Sequence, residues 1–152
     1  MIYVLLLILG VTAGLRAVTP LAAVSIGAYL GWIDLSGTWA AFAGHIITAI
    51  VLGLAAIAEF VGDQRPTAPS RKAPQQFAAR VIAGALAGLL LRLPLGNWIA
   101  GLLLGAIGAV LGTLGGFEAR RWLAKALNRD LPAALLEDLV AVVAAFLVVY
   151  LA

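Results

Sequence analysis

Chemistry in this chain must come from few side chains: seven carboxylates, ten Lys and Arg, one histidine and no cysteine across 152 residues. Four of the carboxylates form two close pairs, Glu59 with Asp63 and Glu137 with Asp138, inside otherwise apolar sequence. Residues four apart share a helix face, so Glu59 and Asp63 can act together. Glu137 and Asp138 lie ~10 Å into the last apolar segment, counted from Asp130. A carboxylate within a bilayer costs a few kcal/mol and persists only beside a base, a proton or a water-filled cavity. The basic partners on offer are Arg16, Arg80, Arg120 and Arg121. Such a cluster suits a cation or proton, because carboxylates at low dielectric exchange protons near neutrality. Arg16 near a half-helix N-terminus would suit an anion instead, so both signs stay open.

Other chemistries are excluded more firmly. Without cysteine there is no disulfide, iron–sulfur cluster or thiolate zinc site, and a single histidine cannot build an imidazole metal cluster. Ser25, Ser36 and Ser70 are the only serines, none paired with histidine in a nucleophile pattern. There is no H-E-x-x-H and no Gly-rich phosphate loop before a lysine. The expectation is therefore a protein that is not an enzyme, with no cofactor and no metal. The net charge of +3 falls in short loops and span ends without interleaved aromatics, which points to anionic lipid headgroups and not to nucleic acid.

The elements that must position these groups are membrane helices. The chain is 64% hydrophobic and 11% charged, where soluble domains carry roughly 25% charge. The fold class expected is an all-α integral membrane protein, one transmembrane domain with five apolar segments at about 2–33, 38–61, 77–93, 98–117 and 131–152. A Pro-rich basic loop covers 62–76. The first segment lacks a basic n-region and a small-residue cleavage site, so it is expected to stay in the mature protein. Its 32 residues exceed a ~30 Å core, and Gly14, Arg16 and Pro20 mark a break into two half-helices. Asp34 to Gly37 reads as a turn. His45 falls seven residues into the second segment, where a proton relay and a plain interhelical hydrogen bond are both open readings. In the third, the uninterrupted run from Val81 to Leu91 covers only ~16 Å, so Arg80 and Arg92 are expected to snorkel outward. Glu118 to Asp130 reads as a short amphipathic extension, and Trp32, Trp39, Trp98 and Trp122 as interfacial anchors.

Gly101, Gly105, Gly108, Gly112 and Gly115 recur at spacings of four, three, four and three. Such a seam lets another backbone approach closely. It packs either on the third helix through Gly84 and Gly88 or on a second copy as a homodimer. The positive-inside rule puts the basic stretches Arg65 to Arg80 and Arg120 to Arg129 in the cytoplasm and the C-terminus outside. With the break, the N-terminus is outside as well, and Arg16 drops to the level of Glu137 or Asp138 and pairs with one of them.

Several strings together resemble a bacterial membrane family, domain of unknown function 4126. They are Gly14-Leu15-Arg16-Ala17-Val18-Thr19-Pro20, the run Ala58 to Pro66 with Pro69-Ser70-Arg71, Arg80 before Gly84, and Ala134-Leu135-Leu136-Glu137-Asp138. The resemblance covers nearly the whole chain and implies a small multi-pass inner-membrane protein without an established activity. Two functions stay open. One is a channel or transporter for a small ion or solute, with Arg16, Glu59, Asp63, Arg80, Glu137 and Asp138 along its path. The other is a non-catalytic scaffold or lipid-binding protein whose charge cluster is structural.

Overall fold

A computed structural model of the chain describes residues 1–152 except Pro66, Pro69, Arg71 and Lys72. The loop reading of 62–76 falls partly on those four positions and to that extent lies outside the described residues. Among the described residues six α-helices follow in order: α1 (Ile2–Leu15), α2 (Val18–Tyr29), α3 (Ile46–Asp63), α4 (Pro74–Arg92), α5 (Trp98–Leu127) and α6 (Asp130–Leu151). There is no strand among the described residues. Helices α3 to α6 are each long and apolar enough to cross a membrane, which makes this an all-α membrane protein.

The first apolar stretch is broken where Gly14, Arg16 and Pro20 suggested. Arg16 leaves the helix with φ −142° and ψ 113°, and α2 starts two residues later. Pro20 occupies the first turn of α2, where a missing N–H forfeits no intrahelical bond. The two pieces are 14 and 12 residues, ~21 and ~18 Å, so neither crosses a ~30 Å core alone. They form a re-entrant hairpin. Leu6, Leu9, Ala23 and Val24 share one apolar cluster with Leu91 near the end of α4 and with Val148 and Val149 near the end of α6. The apex at Arg16 meets the opposite end of the same bundle: the last residue of α3, Arg80 in the second turn of α4 and Asp138 in the third turn of α6. After α2, Asp34 accepts hydrogen bonds from the backbone N–H and hydroxyl of Ser36, closing the expected turn and holding its carboxyl below the usual range.

Helix α5 is the axis of the packing, and its glycines explain why. A Cβ on Gly101 would lie 2.1 Å from the Gly88 carbonyl oxygen, and one on Gly105 2.1 Å from that of Gly84. One turn on, Gly108 meets the Leu7 carbonyl and Gly10, and Gly112 meets Val11. The seam is thus shared between α4, as expected, and α1. Two corrections follow. Gly115 has open space where its Cβ would be, because the buried face of α5 at that level falls on Gly116 and Gly115 is exposed. The stretch from Gly101 to Gly112 is filled by the chain's own backbones, so a second copy cannot dock on it.

Other boundaries differ for local reasons. Helix α4 starts at Pro74 and not at Phe77, since proline is favoured in a first turn. Helix α5 runs unbroken through Glu118 to Leu127, because Glu, Ala, Arg, Leu and Lys there are all good helix formers. Asn128, at φ 53°, ends it in the left-handed conformation that asparagine tolerates. His45 is exposed and sits outside the second span: it is the N-cap of α3, its Nδ1 accepting the Ile47 N–H at 3.3 Å after a 3₁₀ turn at Ala41–Gly44. That geometry gives His45 a capping role and takes it out of the membrane-spanning helix.

Candidate functional site

Breaking a helix inside an apolar bundle strands carbonyls on one side and amides on the other, and each needs a partner. Arg80 supplies the donors: its Nη1 donates to the Gly14 carbonyl at 2.8 Å and the Leu15 carbonyl at 2.7 Å. Thr113 on α5 donates to the Gly14 carbonyl at 3.5 Å and to its own Ala109 carbonyl at 2.8 Å. Glu59 supplies the acceptors, one carboxylate oxygen taking the Ala17 N–H at 2.7 Å and the other the Val18 N–H at 2.9 Å. A cation therefore sits at the C-terminal end of α1 and an anion at the N-terminal end of α2, each complementing the local helix dipole.

Arg16 completes the junction. It is fully buried, its Nε donates to Asp138 and its Nη1 to Asp63, and Nη2 forms a second contact with Asp138. The Phe60 ring centre lies 5.4 Å from its guanidinium carbon, close enough for a cation–π contribution. Asp63 also accepts from Arg80 Nη2 at 3.4 Å, and Gln64 donates to the other Asp138 oxygen at 3.5 Å. One network thus ties the ends of α1, α2, α3, α4 and α6 together.

Five of the six charged residues singled out from sequence meet here: Arg16, Glu59, Asp63, Arg80 and Asp138. Glu137 does not join them. One residue along a helix turns the side chain by ~100°, and Glu137 faces Arg120 Nη1 at 3.6 Å instead. Arg120 also holds Asp130 through bonds of 3.1 and 2.8 Å. The expectation that Arg80 snorkels outward is corrected: Arg80 is 2% exposed and turns inward, because the stranded α1 carbonyls need its donors. Phe60, Gln64 and Thr113 are additional members; the position of Phe60 and Gln64 beside Glu59 and Asp63 was the available signal.

A cavity of about 300 Å³ lies on the apex side of the bundle, lined by Asp63, Ser70, Phe117, Arg120, Arg121 and Asp130, with Ala68. Of the junction residues only Asp63 reaches it, and Asp63 binds both buried guanidiniums. The family model described as domain of unknown function (DUF4126) matches residues 4–152. The chain belongs to that family. Comparison with curated proteins and with solved structures gives no match. Membership in the DUF4126 family agrees with an apolar helical membrane protein and assigns no chemistry to the junction.

Proposed function

We propose that the protein is a channel or transporter for a small ion or solute, with the Arg16 junction as the inner wall of a cytoplasm-facing cavity. The observation that carries this is Asp63, the one carboxylate shared by the buried charge network and the cavity. Re-entrant half-helices with charged ends are a common way to build a site within a bilayer. On this reading Asp63 exchanges its guanidinium partners for the permeating species. Asp63→Asn should lower flux through reconstituted liposomes roughly tenfold or more, measured with protons, potassium and chloride in turn. Wild-type liposomes no leakier than empty ones to all three would defeat the transport reading.

The scaffold alternative is favoured by a different observation: both helix ends at the break are capped within the chain, and Arg16 has no exposed surface. Under it, Asp63→Asn lowers thermal stability while no variant and no wild type conducts.

The location we assign is the bacterial inner membrane, with the apex side in the cytoplasm. Of the ten Lys and Arg, Arg92 is the only one among the described residues at the end of the bundle where α4 finishes and α5 starts. The positive-inside rule then sets the orientation. A reporter fused after Ala152 should read external, and one inserted between Ala68 and Ala73 cytoplasmic. A cytoplasmic signal from the C-terminal fusion would reverse the orientation.

A further inference from the structure

Beside the polar cavity, between α5 and α6, an apolar slot of about 190 Å³ opens. Gly116, Ala119 and Leu123 face Ala133, Leu136 and Val140 across it. The slot exists because three of those six side chains are too small to close it. Glu137 and Arg120 stand at its polar edge, and Arg120 is also on the wall of the 300 Å³ cavity. One arginine therefore joins a polar chamber to a hydrocarbon groove.

In a bilayer such a groove is not left empty. A void forfeits the dispersion contacts of its lining, and water would find few polar partners there. Leu136 and Val140 are 46% and 57% exposed, so the slot opens sideways to the lipid, and an acyl chain is the material at hand. The polar end selects a headgroup by charge. Asp63 already faces the guanidiniums of Arg16 and Arg80, and Arg120 is held by Asp130 and Glu137, which leaves Arg121 as the cation on the described wall that no buried carboxylate holds. Among the described residues Arg121 makes a 3.8 Å contact with Glu118, both of them 60% exposed, a pair worth little in water.

Helix length puts this chamber at the right height. Helix α5 has 30 residues, ~45 Å, so ~15 Å of it lies beyond a bilayer's hydrocarbon core. Arg120 and Arg121 are in its last three turns, at headgroup level when Trp98 anchors the other end.

We propose that the α5–α6 junction binds one glycerophospholipid with an anionic headgroup, an acyl chain in the slot and the phosphate at Arg121. This goes beyond the transport reading and does not depend on it. The test is native mass spectrometry of the full detergent-solubilised chain titrated with phosphatidylglycerol or phosphatidylcholine. Wild type should retain one phosphatidylglycerol with about tenfold preference, a difference of ~1.4 kcal/mol. Ala119→Trp, at an exposed position, fills the slot and should weaken retention of both lipids about tenfold. Val140→Trp fills it from α6 and serves if the first variant does not fold. Arg121→Gln should keep lipid bound and lose the headgroup preference. Retention unchanged in both tryptophan variants, or equal binding of the two lipids by wild type, would overturn the proposal. So would inorganic phosphate binding that the tryptophan variants leave intact while no lipid is retained, since the chamber would then be a plain anion site.

Discussion

Replacing Arg16 with glutamine should destabilise the protein by about 3–5 kcal/mol, the usual cost of removing one partner from a buried ion pair. Asp63 and Asp138 both bind this guanidinium, and without it two carboxylates face each other across an apolar junction. Asp63 retains Arg80 at 3.4 Å, whereas Asp138 keeps only the 3.5 Å bond from Gln64 among the contacts described. The heavier loss therefore falls on Asp138. Asp138→Asn in the Arg16→Gln background removes the stranded charge and should recover part of the stability, a coupling of about 0.5–3 kcal/mol. Thermal unfolding in detergent of the two single variants and the double variant measures it. Strict additivity would mean that Arg16 and Asp138 do not interact energetically.

The same junction shows what the sequence discloses and where it stops. The break was legible because 32 apolar residues exceed a membrane span and Gly14, Arg16 and Pro20 stand at their middle. Depth then pointed Arg16 at the carboxylates of α6, and Asp138 is the one it reaches. Between Asp138 and Glu137 the sequence had no basis for choosing, since the rotation of α6 is set by Ala133, Ala134, Ala141 and Ala145 packing inward. Arg80 departs from its expected place for a similar reason. As a local flank of a short apolar run it belongs at the surface, and only the unsatisfied carbonyls of Gly14 and Leu15, brought near by tertiary packing, turn it inward. A count of apolar residues from Thr38 places His45 inside the second span, whereas a 3₁₀ turn occupies the stretch before it and puts it at the N-cap of α3.

The glycine seam separates the two kinds of information again: its period was legible, and half of its partner was not. Gly10 and Gly14 repeat the spacing of four within the first segment, and α1 uses it to lie against Gly108 and Gly112. The expected consequence is a sharp contrast along one helix. Gly105→Ala places a methyl 2.1 Å from the Gly84 carbonyl oxygen, an atom of a helix backbone that cannot rotate away. Overpacking of this kind costs about 1–3 kcal/mol, and Gly105→Leu should abolish folding. Gly112→Ala meets the Val11 carbonyl at 2.3 Å and should behave like Gly105→Ala, loosening α1 in place of α4. Gly115→Ala has open space and gains the helix propensity that glycine lacks, about 0.8–1 kcal/mol, so its sign is reversed. Unfolding temperatures of the three alanine variants in one detergent decide the matter, and equal values at 105, 112 and 115 would mean that α5 does not approach its neighbours backbone to backbone.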